Sequence, residues 1–197
     1  MSFNFGNMWS ENKKNNLIVN KKKSINKFNQ NRLVIERKNN KKNNINPIGT
    51  KGFWGTPTWL LFHSLAARVN AEKYKIHYMV VWNFIKEICS SLPCPYCKQH
   101  AINYISKVRF SNINTKEKLI KTLFDFHNDV NNRTGKGVMN MSVLDKYKSA
   151  NLNKILELFK SRFFVSYIGR RHFDDWIKNK TRESTDKFWN FYIKNLL

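Results

Sequence analysis

The sequence predicts an all-α fold, and three observations carry the prediction. Glycine and proline are scarce, 7 and 4 in 197 residues, whereas sheet-rich folds spend both in their many turns. From Gly52 onward apolar residues recur every three or four positions, and none of the core stretches shows the sustained alternation of a strand. Hydrophobic residues reach 41% and aromatics 14%, enough to fill a core in a chain of this length. The expected architecture is a four-helix bundle with a short fifth helix, preceded by a basic tail and followed by a helical extension.

Residues 1–50 read as a disordered tail. NKKNNLIVNKKKSINKFNQNRLVIERKNNKKNNIN is nearly all Lys and Asn, broken by apolar islands at Leu17-Ile18-Val19 and Leu33-Val34-Ile35. Such a segment buries too little to offset its ordering entropy. At Gly52 the composition changes, and residues 51–148 read as the folded domain. Thr56-Pro57 is a helix-start signal, with Thr as N-cap and Pro in the first turn. Trp59, Phe62, His63, Ala66 and Val69 follow at helical spacing. A second helix is expected over Lys75–Ser90, with Ile76, Val80, Phe84 and Ile88 in step. A third begins at Pro95, placing Cys97, Ala101, Tyr104, Ile105 and Val108 on one face. Asn114-Thr115 precedes a fourth, striped by Leu119, Leu123, Phe126, His127 and Val130 and ended by Gly135. Ser142 caps a short fifth helix running to Tyr147. Residues 149–197 form the extension. Leu152, Ile155, Phe159 and Phe163 mark one helix, broken near Gly169; Phe173, Trp176, Ile177, Phe188, Phe191, Tyr192 and Ile193 mark one or two more.

A net charge of +23 suits an anionic partner such as nucleic acid or an acidic membrane surface. The excess is lysine, however, and accompanies abundant Asn, Ile, Phe and Tyr, the composition expected of an AT-rich genome. The aromatics do not alternate with basic residues as a base-stacking platform requires. A nucleic-acid partner for the basic tail stays open. No apolar run is long enough for a transmembrane helix, and the start lacks the basic-then-apolar order of a secretory signal.

The tetrapeptide Cys94-Pro95-Tyr96-Cys97 carries the chemistry. As a redox pair it would sit at the start of a helix whose free N–H groups lower a thiol pKa, with Lys98 and His100 one turn away. As a zinc site it would use Cys89, Cys94, Cys97 and His100. The ligand types are right, but all four lie close in sequence and would join almost nothing, so no metal is expected. A thioredoxin-like active site needs a cis-proline after the CxxC. Here Pro47, Pro57, Pro93 and Pro95 all precede Cys97, which excludes that fold.

The flanks narrow the choice. FWGTPTWLLFHSLA (53–66), SLPCPYCKQHAINYI (91–105) and FDFHNDVNNRTGK (124–136) resemble, in order and separation, three motifs of the Erv/ALR flavin-dependent sulfhydryl oxidases. SLPC, a His after the CxxC, and HNxVNNR are most similar to members from large DNA viruses. The resemblance implies a helical bundle holding FAD beside the CxxC helix, usually as a homodimer. It implies Cys94 and Cys97 as catalytic residues. It implies Gly55, Trp59, His63, His127, Asn128, Val130, Asn131 and Lys136 as cofactor-binding. Trp59, His63 and His127 would line the adenine side, Asn128 and Asn131 would fix the cofactor, and Lys136 or Arg133 would meet the diphosphate as charge-assisted donors. The residues fit this, because Trp59 and His63, like His127 and Asn131, are i and i+4 and share a helix face. The implied reaction oxidises a dithiol protein, a thioredoxin-like shuttle being one candidate. The dithiol attacks Cys94, Cys97 passes two electrons to FAD, and oxygen is reduced to hydrogen peroxide. The implied setting is cytoplasmic, in the host cell or virion, with the mitochondrial intermembrane space as the alternative.

Three departures qualify the resemblance. Many relatives relay electrons through a second cysteine pair, but this chain's only other cysteine is Cys89, so a partner must reach Cys94 directly. No cysteine follows Cys97 to staple the cofactor region, and Arg68 and Val69 stand where cellular relatives carry tyrosines. Cys89 reads as a buried free thiol, with a redox or intermolecular role left open by the odd cysteine count. The rival reading is a non-enzymatic basic helical adaptor or nucleic-acid-binding protein with the CxxC in a structural zinc site. It would be colourless, and its activity would depend on salt rather than on Cys94 and Cys97.

Overall fold

The computed structural model describes residues 48, 50–167 and 172–197, with side chains from residue 175 onward in the last helix. The tail expected over 1–50 and the break expected near Gly169 lie outside the described residues, apart from positions 48 and 50. Six α-helices follow in order: α1 (Lys51–Arg68), α2 (Ala71–Ser90), α3 (Pro95–Ile105), α4 (Lys116–Arg133), α5 (Leu152–Phe163) and α6 (His172–Leu196). Short 3-10 turns span Phe110–Asn112, Met141–Ser149 and Phe164–Tyr167. The described part is all-helical, and residues from Pro47 to Leu197 form one compact unit.

Helix α1 is the axis of the bundle. Residues 60–66 are buried without interruption, so no face is left for solvent. It packs on α4, on α5 and on the 141–149 turn. Its start differs from the sequence expectation: the helix begins at Lys51, and Pro57 lies inside it. Burial of Phe53 and Trp54 supplies the reason. Trp54 meets Phe163 of α5 edge-on at 6.5 Å, and the Arg162 guanidinium lies 4.5 Å over the Phe53 ring. Pro57 has no N–H to continue the helical ladder; in the same turn the Thr58 hydroxyl donates to Trp54 O at 2.8 Å.

Helix α2 also starts earlier than expected, because Asn70 Oδ1 accepts from the N–H groups of Glu72 and Lys73 at 3.0 and 3.1 Å. It buries Tyr74, Val81, Trp82, Phe84, Ile85, Ile88 and Cys89. The stripe expected from spacing holds at Phe84 and Ile88 but not at Ile76 and Val80, which are exposed. Helix α6 selects the buried face. Phe188 stacks on Phe84 at 3.9 Å, and the α6 carbonyl of Leu196 accepts from the Asn70 N–H at 2.7 Å.

Helix α4 has the expected cap, Thr115, and the expected end. Gly135 adopts φ 68, the left-handed conformation that lets the Lys136 N–H turn back to Asn131 O at 2.8 Å. The short fifth element is a 3-10 turn capped by Asn140, whose Oδ1 accepts from Ser142 N–H. Ser142 was the cap that spacing suggested. Residues 149–197 pack into the same unit as the bundle, with α5 on α1 and α6 on α2. The Tyr192 hydroxyl donates to Leu65 O at 2.8 Å, deep in the core.

Candidate active site

Pro95 begins α3, and Cys94 is its N-cap: its Sγ accepts from the Cys97 N–H at 3.2 Å. That hydrogen bond fixes the sulfur of Cys94 over the first turn and brings the two thiols to 2.7 Å from one another, within easy reach of a bond. Cys94 is half-buried and Cys97 buried, so an incoming group meets Cys94 first. Tyr96, between them, is 81% exposed.

The inner thiol's pKa lies above its ordinary value, not below it as the sequence leads one to expect. Burial pushes Cys97 up to about 11, and the neighbouring Cys94 adds to the rise. Two cations oppose it, Lys51 at the start of α1 and Arg133 at the end of α4. The sequence had suggested Lys98 and His100 for that task. His100 instead pairs with Asp129 of α4, Nε2 to Oδ2 at 2.8 Å.

One helical layer away the three predicted aromatic residues converge. Trp59 stacks face to face on His127 at 4.1 Å and 6° and lies 5.8 Å from His63. His63 Nε2 and His127 Nδ1 are 3.0 Å apart. Burial lowers both imidazole pKa values, His63 well below its usual range and His127 to about 3. The cations Lys136 and Lys146 push His127 the same way. Both rings are therefore neutral near pH 7, one donating to the other.

The remaining predicted residues take distinct places. Asn131 is buried one turn beyond His127, and Val130 is half-buried beside it. Asn128 uses both ends of its amide on Met139: Oδ1 accepts from the Met139 N–H at 2.9 Å and Nδ2 donates to its carbonyl at 3.4 Å. It therefore straps down the loop that carries Lys136, which is exposed. Gly55 lies inside α1, and a Cβ built there would meet nothing within 4 Å. Sequence reasoning missed Lys51, Lys146 and Asp129 entirely. It placed Tyr147 only as the end of a helix, although its ring stacks on His63 at 5.0 Å. Among the described residues no group of three His, Cys, Asp or Glu side chains could hold a metal ion. Cys89 is buried on α2, its thiol pKa raised by desolvation.

These residues fit FAD. Trp59 and His127 already touch, so a planar ring would lie against their stack rather than between them. Neutral imidazoles and a buried amide suit directed hydrogen bonds to a heterocycle, and Lys136 and Lys146 suit a diphosphate. The open space over Gly55 admits a ligand against the helix backbone.

Residues 56–149 match the family model described as Erv1 / Alr family. A protein of African swine fever virus named FAD-linked sulfhydryl oxidase is 31% identical over 115 residues, which cover 58% of this chain and 95% of that one. The chain belongs to the Erv1 / Alr family. A protein of Invertebrate iridescent virus 6, bearing the same name in provisional form, is 32% identical over 99 residues, covering 47% of this chain and 89% of that one. Another from Invertebrate iridescent virus 3 is 34% identical over 84 residues, covering 42% of this chain and 57% of the other. No solved structure matches the chain. Helices α5 and α6 lie wholly outside the family match, whereas all three sequence motifs, except the first three residues of the first, lie within it.

Proposed function

We propose that the protein is an FAD-linked sulfhydryl oxidase that forms disulfides in a dithiol protein and reduces oxygen to hydrogen peroxide. The observation that carries this is the pair of sulfurs 2.7 Å apart at the start of α3, one half-buried and one buried, in a chain of this family. In the oxidised enzyme the substrate thiolate attacks Cys94 Sγ. A mixed disulfide forms and the electron pair leaves on Cys97. The second substrate thiolate then attacks the substrate's own sulfur and frees Cys94. Lys51 and Arg133 favour the Cys97 thiolate against the desolvation that opposes it. Bound FAD would supply the two-electron acceptor for Cys97 and the route to oxygen.

Trp59, His63, His127, Val130 and Asn131 would hold the cofactor, with Gly55 giving it room and Lys136, joined by Lys146, meeting the diphosphate. Asn128 would act through the loop it straps. The redox chemistry belongs to residues 51–148, with 149–197 completing the core; any engagement of nucleic acid would rest on the charge of the Lys-rich sequence over 1–50. A homodimer would cover the exposed Ile76 and Val80 of α2. Viral relatives favour the host-cell cytoplasm or virion over the mitochondrial intermembrane space. Among the described residues no helix is long and apolar enough to cross a membrane.

The test is the visible spectrum of the purified full chain before and after a dithiol is added in air. Flavin bands that bleach and recover while oxygen is consumed are expected, and Cys97→Ser should keep the colour and lose turnover. A folded protein that stays colourless with FAD supplied would overturn the reading.

A further inference from the structure

Two depressions meet beside Cys94. The larger, of about 580 Å³, lies between the end of α2 and the first half of α6, with Glu87 on one wall and Trp176, Lys180 and Lys187 on the other. The smaller, of about 70 Å³, is walled by Leu92, Pro93, Pro95 and Lys98. They share Ser91 and Ile177 and so form one track, leading from the outer face of α6 to the first turn of the helix that Cys94 caps.

We propose that this track docks the substrate, as an extended acidic segment flanking the dithiol that attacks Cys94. The proposal rests on the oxidase reading above and names the partner's chemistry. Three features support it. The chain holds three cysteines, and Cys89 is only 2% exposed, so reducing equivalents must reach Cys94 from another molecule across the adjoining surface. Two exposed aromatics accompany the track: Trp176, 59% exposed, lines the larger depression, and Tyr96, 81% exposed, follows Pro95 of the smaller one, the kind of amphipathic aromatic that anchors a bound chain. The charge also has a sign. Three lysines, Lys98, Lys180 and Lys187, line the track against two glutamates: Glu183 pairs with Lys187 at 2.6 Å, and Glu87 accepts from the Ser184 hydroxyl, which leaves an excess of positive charge. Lys98 brings positive charge to the smaller depression and Lys180 to the larger, Lys180 from above the Trp176 ring. An acidic segment is what that arrangement selects. Most of the larger depression is built by α6, which the family match does not reach, so that part of the specificity would belong to this chain's own C-terminal helix.

The experiment uses the full-length, FAD-loaded protein and two synthetic Cys-x-x-Cys peptides, one flanked by glutamates and one by lysines, with oxygen consumption as the readout. The wild type should prefer the acidic peptide. In Lys98→Glu/Lys180→Glu the ratio of kcat/KM for acidic over basic peptide should fall by about tenfold or more, and in Trp176→Ala the KM for the acidic peptide should rise. An unchanged ratio in the double variant, or equal use of both peptides by the wild type, would overturn the proposal. A wild type that fails to oxidise dithiothreitol would instead sink the oxidase reading. In that case fluorescence anisotropy of the same peptides, labelled and with serines for cysteines, still decides the groove. Binding of the acidic peptide that the double variant loses supports it, and equal binding of both peptides rejects it.

Discussion

His63 on α1 and His127 on α4 share a hydrogen bond of 3.0 Å although 64 residues separate them in the chain. The bond requires one acceptor nitrogen, so it exists only while the accepting ring is neutral. Burial keeps both rings so, with His127 lowered to about 3. An unfolded chain has histidines near the ordinary value of about 6.5, so below that pH it binds more protons than the native state. Stability from this pair is fully present above about pH 6.5 and is lost as pH falls towards 3. Thermal unfolding monitored from pH 7.5 to 4 should show a falling Tm. The His63→Gln/His127→Gln variant should show a flatter decline, and an unchanged slope would mean that the rings are not buried as a neutral pair.

The Cys97 thiol offers a second titration. Its pKa near 11 combines burial with two contributions from Cys94, the hydrogen bond and the nearby charge. Cys94→Ser removes the titrating neighbour, so the midpoint for alkylation of Cys97 by iodoacetamide should move below 11. Arg133→Met removes a cation that lowers it, and in the same background should move the midpoint back up. Opposite shifts in the two variants are the expected result; a rise in the first would contradict the assignment of Cys94 as a cause.

A third test concerns His100. Asp129 raises its pKa while burial and Arg133 lower it. Asp129→Asn keeps a hydrogen-bond acceptor but removes the charge, so the His100 titration followed by NMR should move to lower pH. No movement would mean that the 2.8 Å contact does not persist in solution.

The parts of the fold that the sequence revealed are those with local causes. Pro95 marks the start of α3, and Thr115 and Gly135 bracket α4, because capping and left-handed turns depend on a few adjacent residues. Spacing could not say which face of α2 is inside. Ile76 and Val80 fit the stripe as well as Tyr74 and Val81, and the choice is made by α6, more than 80 residues on. Pro57 misled for a related reason: a start signal is overridden where burying Phe53 and Trp54 against α5 extends the helix. In the site, Trp59, His63 and His127 were legible through their motifs. Lys51, Lys146 and Tyr147 were not, since Lys51 lies two turns before Trp59 and the other two arrive on the 141–149 turn, and no local pattern announces them.

The C-terminal helix belongs to the core, and its contribution is measurable. Tyr192 is fully buried with its hydroxyl on Leu65 O. Tyr192→Phe leaves that carbonyl without its donor and should cost about 1 kcal/mol, a Tm drop of roughly 2–4 °C for a unit of this size. A variant ending at residue 171 should lose cooperative unfolding altogether, because Phe84 and the α2 start would lose Phe188 and the Leu196 carbonyl. Retention of the wild-type Tm by that truncation would show α6 to be dispensable.

Gly55 separates a structural from a cofactor role most directly. A glycine inside a helix costs up to about 1 kcal/mol relative to alanine, and nothing in the protein within 4 Å would obstruct a Cβ here. Protein packing therefore gives no reason for the glycine. If the cofactor lies against α1 at this point, Gly55→Ala should raise the Tm of the FAD-free protein while weakening FAD retention. Differential scanning calorimetry of the two forms and the flavin-to-protein absorbance ratio after gel filtration read the two effects separately. A variant that gains stability and keeps its FAD would place the cofactor elsewhere. A variant that loses stability without FAD would show that a neighbouring side chain closes over the glycine in solution.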